Sequence, residues 1–263
     1  MIEVFGKKAV TSREFPAVFL DGVGVLMQFT PSLERFYKDQ LSILGLTKTE
    51  EEIERALVGV SAQVNRLVES NAAWAPDDLF WFRSFFEHLS VSEHDAKKLL
   101  PPMKEAFKAV RWVISTEMIS ICEVLKEKGY RLGVVSNFGH ELTEIFRVQG
   151  LLDLFDIVST AGSSEARQKP HPAMFREAAE ELDVPPEKVV HVGSSFALDV
   201  VGAQRAGMRA VLYDPQMREV KALAETTAES FSKVVSIETI RQNRRLSGVK
   251  VISKLEELNS FFL

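Results

Sequence analysis

Ala17-Val-Phe-Leu-Asp21-Gly-Val-Gly-Val25 is the stretch that decides how this chain is read. Its apolar run, rich in β-branched and aromatic side chains, predicts a buried strand, and Gly22 and Gly24 predict a tight turn behind it. One carboxylate stands between them. An Asp at the mouth of a buried strand is costly unless it is solvated, paired or used chemically. Taken alone, Asp21 reads as well as a turn or helix-cap residue beside a tight bend.

Three later segments bear on that choice. Leu132-Gly-Val-Val-Ser136-Asn137 is another apolar run, ending in a hydroxyl and an amide. Gln168-Lys169-Pro170-His-Pro172 places a cation just before a helix. Val189-Val-His-Val-Gly193-Ser-Ser-Phe-Ala-Leu-Asp199 supplies a strand, a Gly turn and a second carboxylate at a helix start. Singly, Lys169 reads as a surface lysine, Asp199 as a helix N-cap and Ser136-Asn137 as a turn. In this order, each at a strand or helix end, they resemble the haloacid dehalogenase-like (HAD) superfamily of Asp-nucleophile hydrolases. The resemblance covers most of residues 17 to 214.

Apolar strands expected at 17–21, 131–135, 155–159, 189–193, 209–213 and near 249–252 alternate with helices. That alternation predicts an α/β fold, a doubly wound, Rossmann-like parallel sheet with helices on both faces. Lys126 and Lys128 before Gly129 mark one helix end, and Pro172 opens a later helix. Residues 28–112 break the alternation. Leu33, Phe36, Tyr37, Leu41 and Leu44 follow helical spacing, Thr49 to Glu52 has the form of a capping box, and Ser92 precedes a helix that Pro101-Pro102 is expected to interrupt. The resemblance implies that 28–112 is a helical cap inserted after the first core strand, with 1–27 and 113–263 forming the core. Ligands of doubly wound sheets sit at the carboxyl ends of strands where the strand order reverses. The resemblance makes the Asp21 and Gly193 strands neighbours at that point.

It also implies a chemistry. Asp21 would attack phosphorus or carbon to give a covalent aspartyl intermediate that water later clears. Gly22, Ser136 and Asn137 would contact the substrate, and Lys169 would supply fixed positive charge. Asp199 would orient a metal-bound water or bond Lys169. The departures are as specific as the matches. Family phosphatases carry a second Asp two residues after the nucleophile, a proton donor and acceptor; here Val23 offers only its backbone carbonyl. The usual Thr is Val25. Ser194 replaces the Asp that normally ligates Mg2+, leaving Asp21, the Val23 carbonyl and, through water, Asp199 as metal contacts.

The expected function is therefore hydrolysis of a small anionic substrate, a phosphate ester or similar, with weak or no Mg2+ dependence. Two alternatives follow from the departures. One is a catalytically impaired relative acting by binding. The other is a metal-independent 2-haloacid dehalogenase, which the Ser194-Ser195 pair favours. Phe196, standing where that branch has Asn, speaks against it, as does the lack of its aromatic and Arg cap motif.

Composition narrows the setting. The chain has 263 residues, 46% of them hydrophobic, enough for a large core. A net charge of −5 and a pI near 5.7 give no reason to expect nucleic acid. The basic run Arg241 to Arg245 reads as a solvated loop or helix end. A single cysteine, Cys122, excludes an intrachain disulfide framework and reads as a buried, inert thiol. The N-terminus lacks the apolar run of a signal peptide, and no apolar segment approaches the roughly 20 residues that span a bilayer. A cytoplasmic protein with no membrane partner is expected; the oligomeric state is not legible. Trp74, Trp81, Phe82, Phe85, Phe86 and Trp112 read as aromatics of the helical block, one or two of them lining the pocket. His140, His171 and His191 read as a helix-start, a loop and a strand residue.

Overall fold

β1 (Ala17–Leu20) is buried completely, and its side chains alternate between two apolar layers. Val18 and Leu20 join one cluster, Ala17 and Phe19 the other. A strand covered on both faces needs apolar residues at every position, which explains its unbroken run. Each such large side chain contributes about 1.5–3 kcal/mol on burial.

The computed structural model describes residues 14–71, 74, 76–77, 79–161, 168–226 and 248–262. The basic run at Arg241–Arg245 and the N-terminal residues 1–13 lie outside them. β2 (Met27–Thr30) and β3 (Arg111–Ile114) form an antiparallel ribbon. β1 heads the main sheet with β4 (Arg131–Ser136), β5 (Ile157–Thr160), β6 (Val189–Gly193), β7 (Arg209–Tyr213) and β8 (Lys250–Ile252). These six strands are parallel and ordered β5-β4-β1-β6-β7-β8. The order reverses at β1, so the chain turns between β1 and β6, the switch point expected from the sequence.

α5 (Thr116–Glu127) and α6 (Glu141–Val148) cover one face of the sheet. α7 (Pro172–Glu181), α8 (Val201–Ala206) and α9 (Arg218–Thr226) cover the other. Between the ribbon strands lie α1 (Leu33–Ile43), α2 (Glu50–Ser70), α3 (Phe80–His88) and α4 (Glu93–Lys108). Their own apolar cluster contains Phe36, Tyr37, Phe82, Phe85 and Phe86. α2 starts with a complete capping box between Thr49 and Glu52.

Two features depart from the expectation. The ribbon was not anticipated, and it brackets the helical block at both ends; Phe29 faces Trp112 across it, ring centroids 5.4 Å apart and edge-on. α4 also runs unbroken through Pro101 and Pro102. Interior prolines cost about 3 kcal/mol or more each. Here both face solvent, as do Lys97 and Lys98, whose carbonyls lose their partners and can bond water instead. Fully buried Met103, with Leu99, Leu100 and Phe107 packed on the same cluster, holds the helix against that cost.

Candidate active site

The carboxyl ends of β1, β4, β6 and β7 bring Asp21, Ser136, Ser194 and Asp214 to one edge of the sheet. The Asp21 N–H donates to Val192 O at 2.9 Å, which fixes the nucleophile candidate to β6. From the loop before α7, Lys169 reaches in and donates to Asp21 Oδ1 at 2.7 Å and to Asp199 Oδ1 at 2.6 Å. Its side chain is 2% exposed. A lysine so buried keeps its charge only against paired carboxylates. Burial works against that charge, but Asp199 and Asp21 outweigh it and hold Lys169 above its ordinary pKa.

The two carboxylates differ in their surroundings. Asp199 Oδ1 also meets His191 Nε2 at 2.9 Å, and its Oδ2 accepts the N–H groups of Ser194 and Ser195 at 3.1 and 3.0 Å. Burial opposes its charge, yet Lys169 and His191 overcome it and hold Asp199 well below the usual carboxylate range. Burial, followed by the nearby Asp199, pushes Asp21 up to about 6 despite Lys169. His191 is held neutral by burial. Asp21 is thus the carboxylate with chemical freedom, and Asp199 is a fixed support for Lys169.

The smaller groups are placed as closely. Asn137 Nδ2 donates to Lys169 O at 2.9 Å while its Oδ1 accepts Lys169 N–H at 2.7 Å. Asn137, expected from the sequence at the substrate, lines the cavity, and its side chain also pins the lysine loop to the end of β4. Ser136 Oγ accepts the Phe138 N–H at 3.2 Å. A Cβ on Gly22 would stand 2.7 Å from that Oγ, so only glycine fits there. Gly24 has φ +92° and abuts the Ser194 side chain, two independent reasons for glycine.

Ser194 Oγ lies 3.1 Å from Val23 O and 3.3 Å from Asp21 Oδ2. One hydroxyl therefore sits between an Asp21 oxygen and the Val23 carbonyl. Beyond it the chain makes a π-helical turn, Phe196–Val200. Such turns frequently occur at functional sites. This one sends Ala197 and Leu198 into the apolar cluster of the helical block while Asp199 faces Lys169. Among the described residues, no group of three or more His, Cys, Asp or Glu lies close enough to hold a metal ion.

Above these groups is a cavity of about 440 Å³. It is lined by Asp21, Ser136, Lys169 and Ser194 of the core, by Leu57, Val60, Val64 and Trp81 of the helical block, and by Arg218 and Glu219 of α9. Val25 and Phe196 do not fill it; both are buried in the layers flanking the sheet. Val23 stands at its wall. Of the six aromatics singled out in the sequence, Trp81 lines the cavity, and Phe82, Phe85 and Phe86 are core. Cys122 is buried, and burial pushes its thiol up to about 12. His140 is exposed at the start of α6, and His171 caps α7 through Nδ1.

His191, Arg218 and Glu219 were not found as site residues. His191 carries a signal in retrospect, since an imidazole inside a fully buried strand needs a polar partner. Nothing local marks Glu219, which lies beyond the last motif.

A family model of haloacid dehalogenase-like hydrolases matches residues 15–207. The chain belongs to the haloacid dehalogenase-like hydrolase family. Phosphoglycolate phosphatase of Nitrosococcus oceani is 27% identical over 200 residues, covering 74% of this chain and 81% of that protein. Mouse haloacid dehalogenase-like hydrolase domain-containing protein 3 is 39% identical over 87 residues, covering 33% of this chain and 34% of the mouse protein. Glyceraldehyde 3-phosphate phosphatase of Methanothermobacter thermautotrophicus is 37% identical over 99 residues, or 37% of this chain and 43% of that enzyme. The match thus spans less than half of each of these last two relatives. Among solved structures, the magnesium-bound HAD-hydrolase YfnB of Bacillus subtilis superposes with a TM-score of 0.60 at 17% identity, covering 95% of this chain and 99% of that one. At that identity the likeness shows the fold. As a HAD-family hydrolase the chain has phosphatase-named relatives, and none of the helices in its described residues is long and apolar enough to cross a membrane.

Proposed function

We propose that this protein hydrolyses a small anionic substrate, a phosphate ester or close analogue, with Asp21 as nucleophile. The observation that carries this reading is the cavity that Asp21 lines. Asp21 Oδ1 is held by Lys169, and Val23, Val25 and Phe196 leave that cavity of about 440 Å³ unfilled. An Asp21 oxygen would bond to phosphorus as the ester oxygen departs, and water would later release phosphate from the aspartyl group. Lys169 would offset charge on the transferring group, Ser136 and the Gly22 backbone would border it, and Asn137 would keep Lys169 in place. Residues 28–112 would serve as the cap, closing the cavity with Leu57, Val60, Val64 and Trp81 and setting what fits.

The family implies Mg2+, and the donor set here does not fit a directly bound ion. Each Asp199 oxygen already takes two donors, and Asp21 Oδ1 takes Lys169. That leaves Asp21 Oδ2 and Val23 O, both of which the Ser194 hydroxyl already bonds. Mg2+ favours near-ideal octahedral geometry with charged oxygens. We therefore take turnover to need little or no metal.

The test is hydrolysis of a panel of phosphate esters and 2-haloacids, with Mg2+ and with chelator, using Asp21→Asn as the blank. Asp21-dependent phosphate release that survives chelation is the expected result. Halide release alone would make the protein a dehalogenase. Rates equal to the blank throughout would make it a binding protein.

A further inference from the structure

Val23 leaves the site without a carboxyl where the family keeps its proton donor, yet the cavity contains another carboxyl. Glu219, in the first turn of α9, is 8% exposed and lines the same cavity as Asp21. Its Oε2 accepts the Phe196 N–H at 2.9 Å, two residues beyond Ser194. The Ser61 hydroxyl of α2 bonds the same carboxyl, so the side chain is held between the π-helical turn and the helical block. Among the described residues no cation pairs with it: the neighbouring Arg218 is paired with Glu34 of α1 and Glu54 of α2. Burial pushes Glu219 up to about 7, with Asp214 adding to the shift and the Phe196 N–H, Ser61 and Arg218 opposing it. Asp214 itself is not free for such a role, because its two oxygens accept the Arg218 and Val220 N–H groups at 2.8 and 3.0 Å and cap α9.

We propose that Glu219 is the general acid and base of this site, doing from α9 what Val23 cannot do from the β1 turn. This rests on the reading of Asp21 as nucleophile. In the first step an Asp21 oxygen bonds to phosphorus, the bond from phosphorus to the ester oxygen breaks, and the Glu219 proton goes to that oxygen. In the second, the Glu219 carboxylate takes a proton from water as the water oxygen bonds to phosphorus. The bond from phosphorus to Asp21 breaks and its electron pair returns to the carboxylate, so phosphate leaves with both side chains restored. A carboxyl titrating near neutral pH is suited to both halves of that exchange.

Glu219→Gln is the informative variant, because the amide keeps an oxygen for the Phe196 N–H and loses only the proton. It is compared with wild type on p-nitrophenyl phosphate, whose leaving group needs no proton, and on glycerol phosphate, whose leaving group does. The expected result is a loss of about 10²–10⁴-fold in kcat/KM on glycerol phosphate with little change on p-nitrophenyl phosphate. The alkaline limb near pH 7 in the wild-type profile would vanish in the variant. Equal losses on both substrates, or none on either, would overturn the assignment. The wild-type enzyme supplies a check that no variant folding can spoil: rates nearly independent of leaving-group pKa support it, and a steep dependence refutes it. If turnover in wild type is no greater than in Asp21→Asn, the nucleophile reading itself fails. Asp21-dependent turnover with an indifferent Glu219→Gln removes Glu219 alone.

Discussion

At the residue scale, the site keeps two carboxyls in surroundings that disfavour their charge, and the sign of that effect is measurable. Glu219 ordinarily titrates at 4.5 and here at about 7, so between those values the folded protein holds a proton that the unfolded chain has released. Its contribution to stability is therefore complete below pH 4.5 and lost as pH rises through 7. Glu219→Gln should match wild type in urea unfolding at pH 4.5 and exceed it at pH 8, by up to about 3 kcal/mol. A variant less stable than wild type at pH 8 would mean that the carboxylate is favourably paired. Ser194 gives a second measurement. Ser194→Asp places a carboxylate beside Asp21 Oδ2, where like charge destabilises the fold until a divalent cation binds. The variant should have a lower Tm than wild type in chelator and regain it in Mg2+, whereas wild type should barely respond. Equal responses would place a metal on other ligands. The four motifs, and with them Asp21, Lys169 and Asp199, were legible because each ends a strand or opens a helix. Glu219 was not, because a carboxyl two residues into a surface-type helix has no local mark of burial.

At the element scale, the helices were predicted by their ends and the strands by their burial. α2 begins at Thr49 because the capping box satisfies backbone donors that the helix cannot. α7 begins at Pro172 because proline loses nothing at a first helical position. The strands of the main sheet are apolar at nearly every position because helices cover both faces. Those signals are local, and local reading suffices. β2 and β3 escaped notice because four-residue strands carry little periodicity, and their antiparallel register, with Phe29 facing Trp112, forms between residues about 80 positions apart. α4 reversed the expectation at Pro101-Pro102 since its apolar face, anchored by Met103, outweighs two lost backbone bonds. The π-helical turn belongs here too. Across it Asp199 faces Lys169 while Ala197 and Leu198 face the helical block, a split that no sequence periodicity displays.

At the scale of the whole molecule, the cavity exists because the helical block is fastened to the core along α9. Arg218 bridges Glu34 and Glu54, Lys221 bonds Glu54 at 3.0 Å, and Val58 and Ala62 of α2 pack on Ala222. Arg218→Met should cost about 1 kcal/mol, because it strands the partly buried Glu34 and leaves Glu54 to Lys221 alone, and should speed hydrogen exchange in α1 and the first half of α2. Unchanged exchange there would mean that apolar packing alone holds the block. The sequence by itself determined the α/β class, a helical block that it bounded at 28–112, and the order of the reactive groups, since each depends on burial pattern or chain ends within a few residues. Tertiary structure alone decided which of those groups meet. Lys169 reaches Asp21 across 148 residues, Asn137 bonds the lysine loop, Ser194 bridges an Asp21 oxygen and the Val23 carbonyl, and Glu219 lines the same cavity. The physical reason is that a side chain's protonation and partners are set by what surrounds it in space, and strand order, not chain order, sets those surroundings.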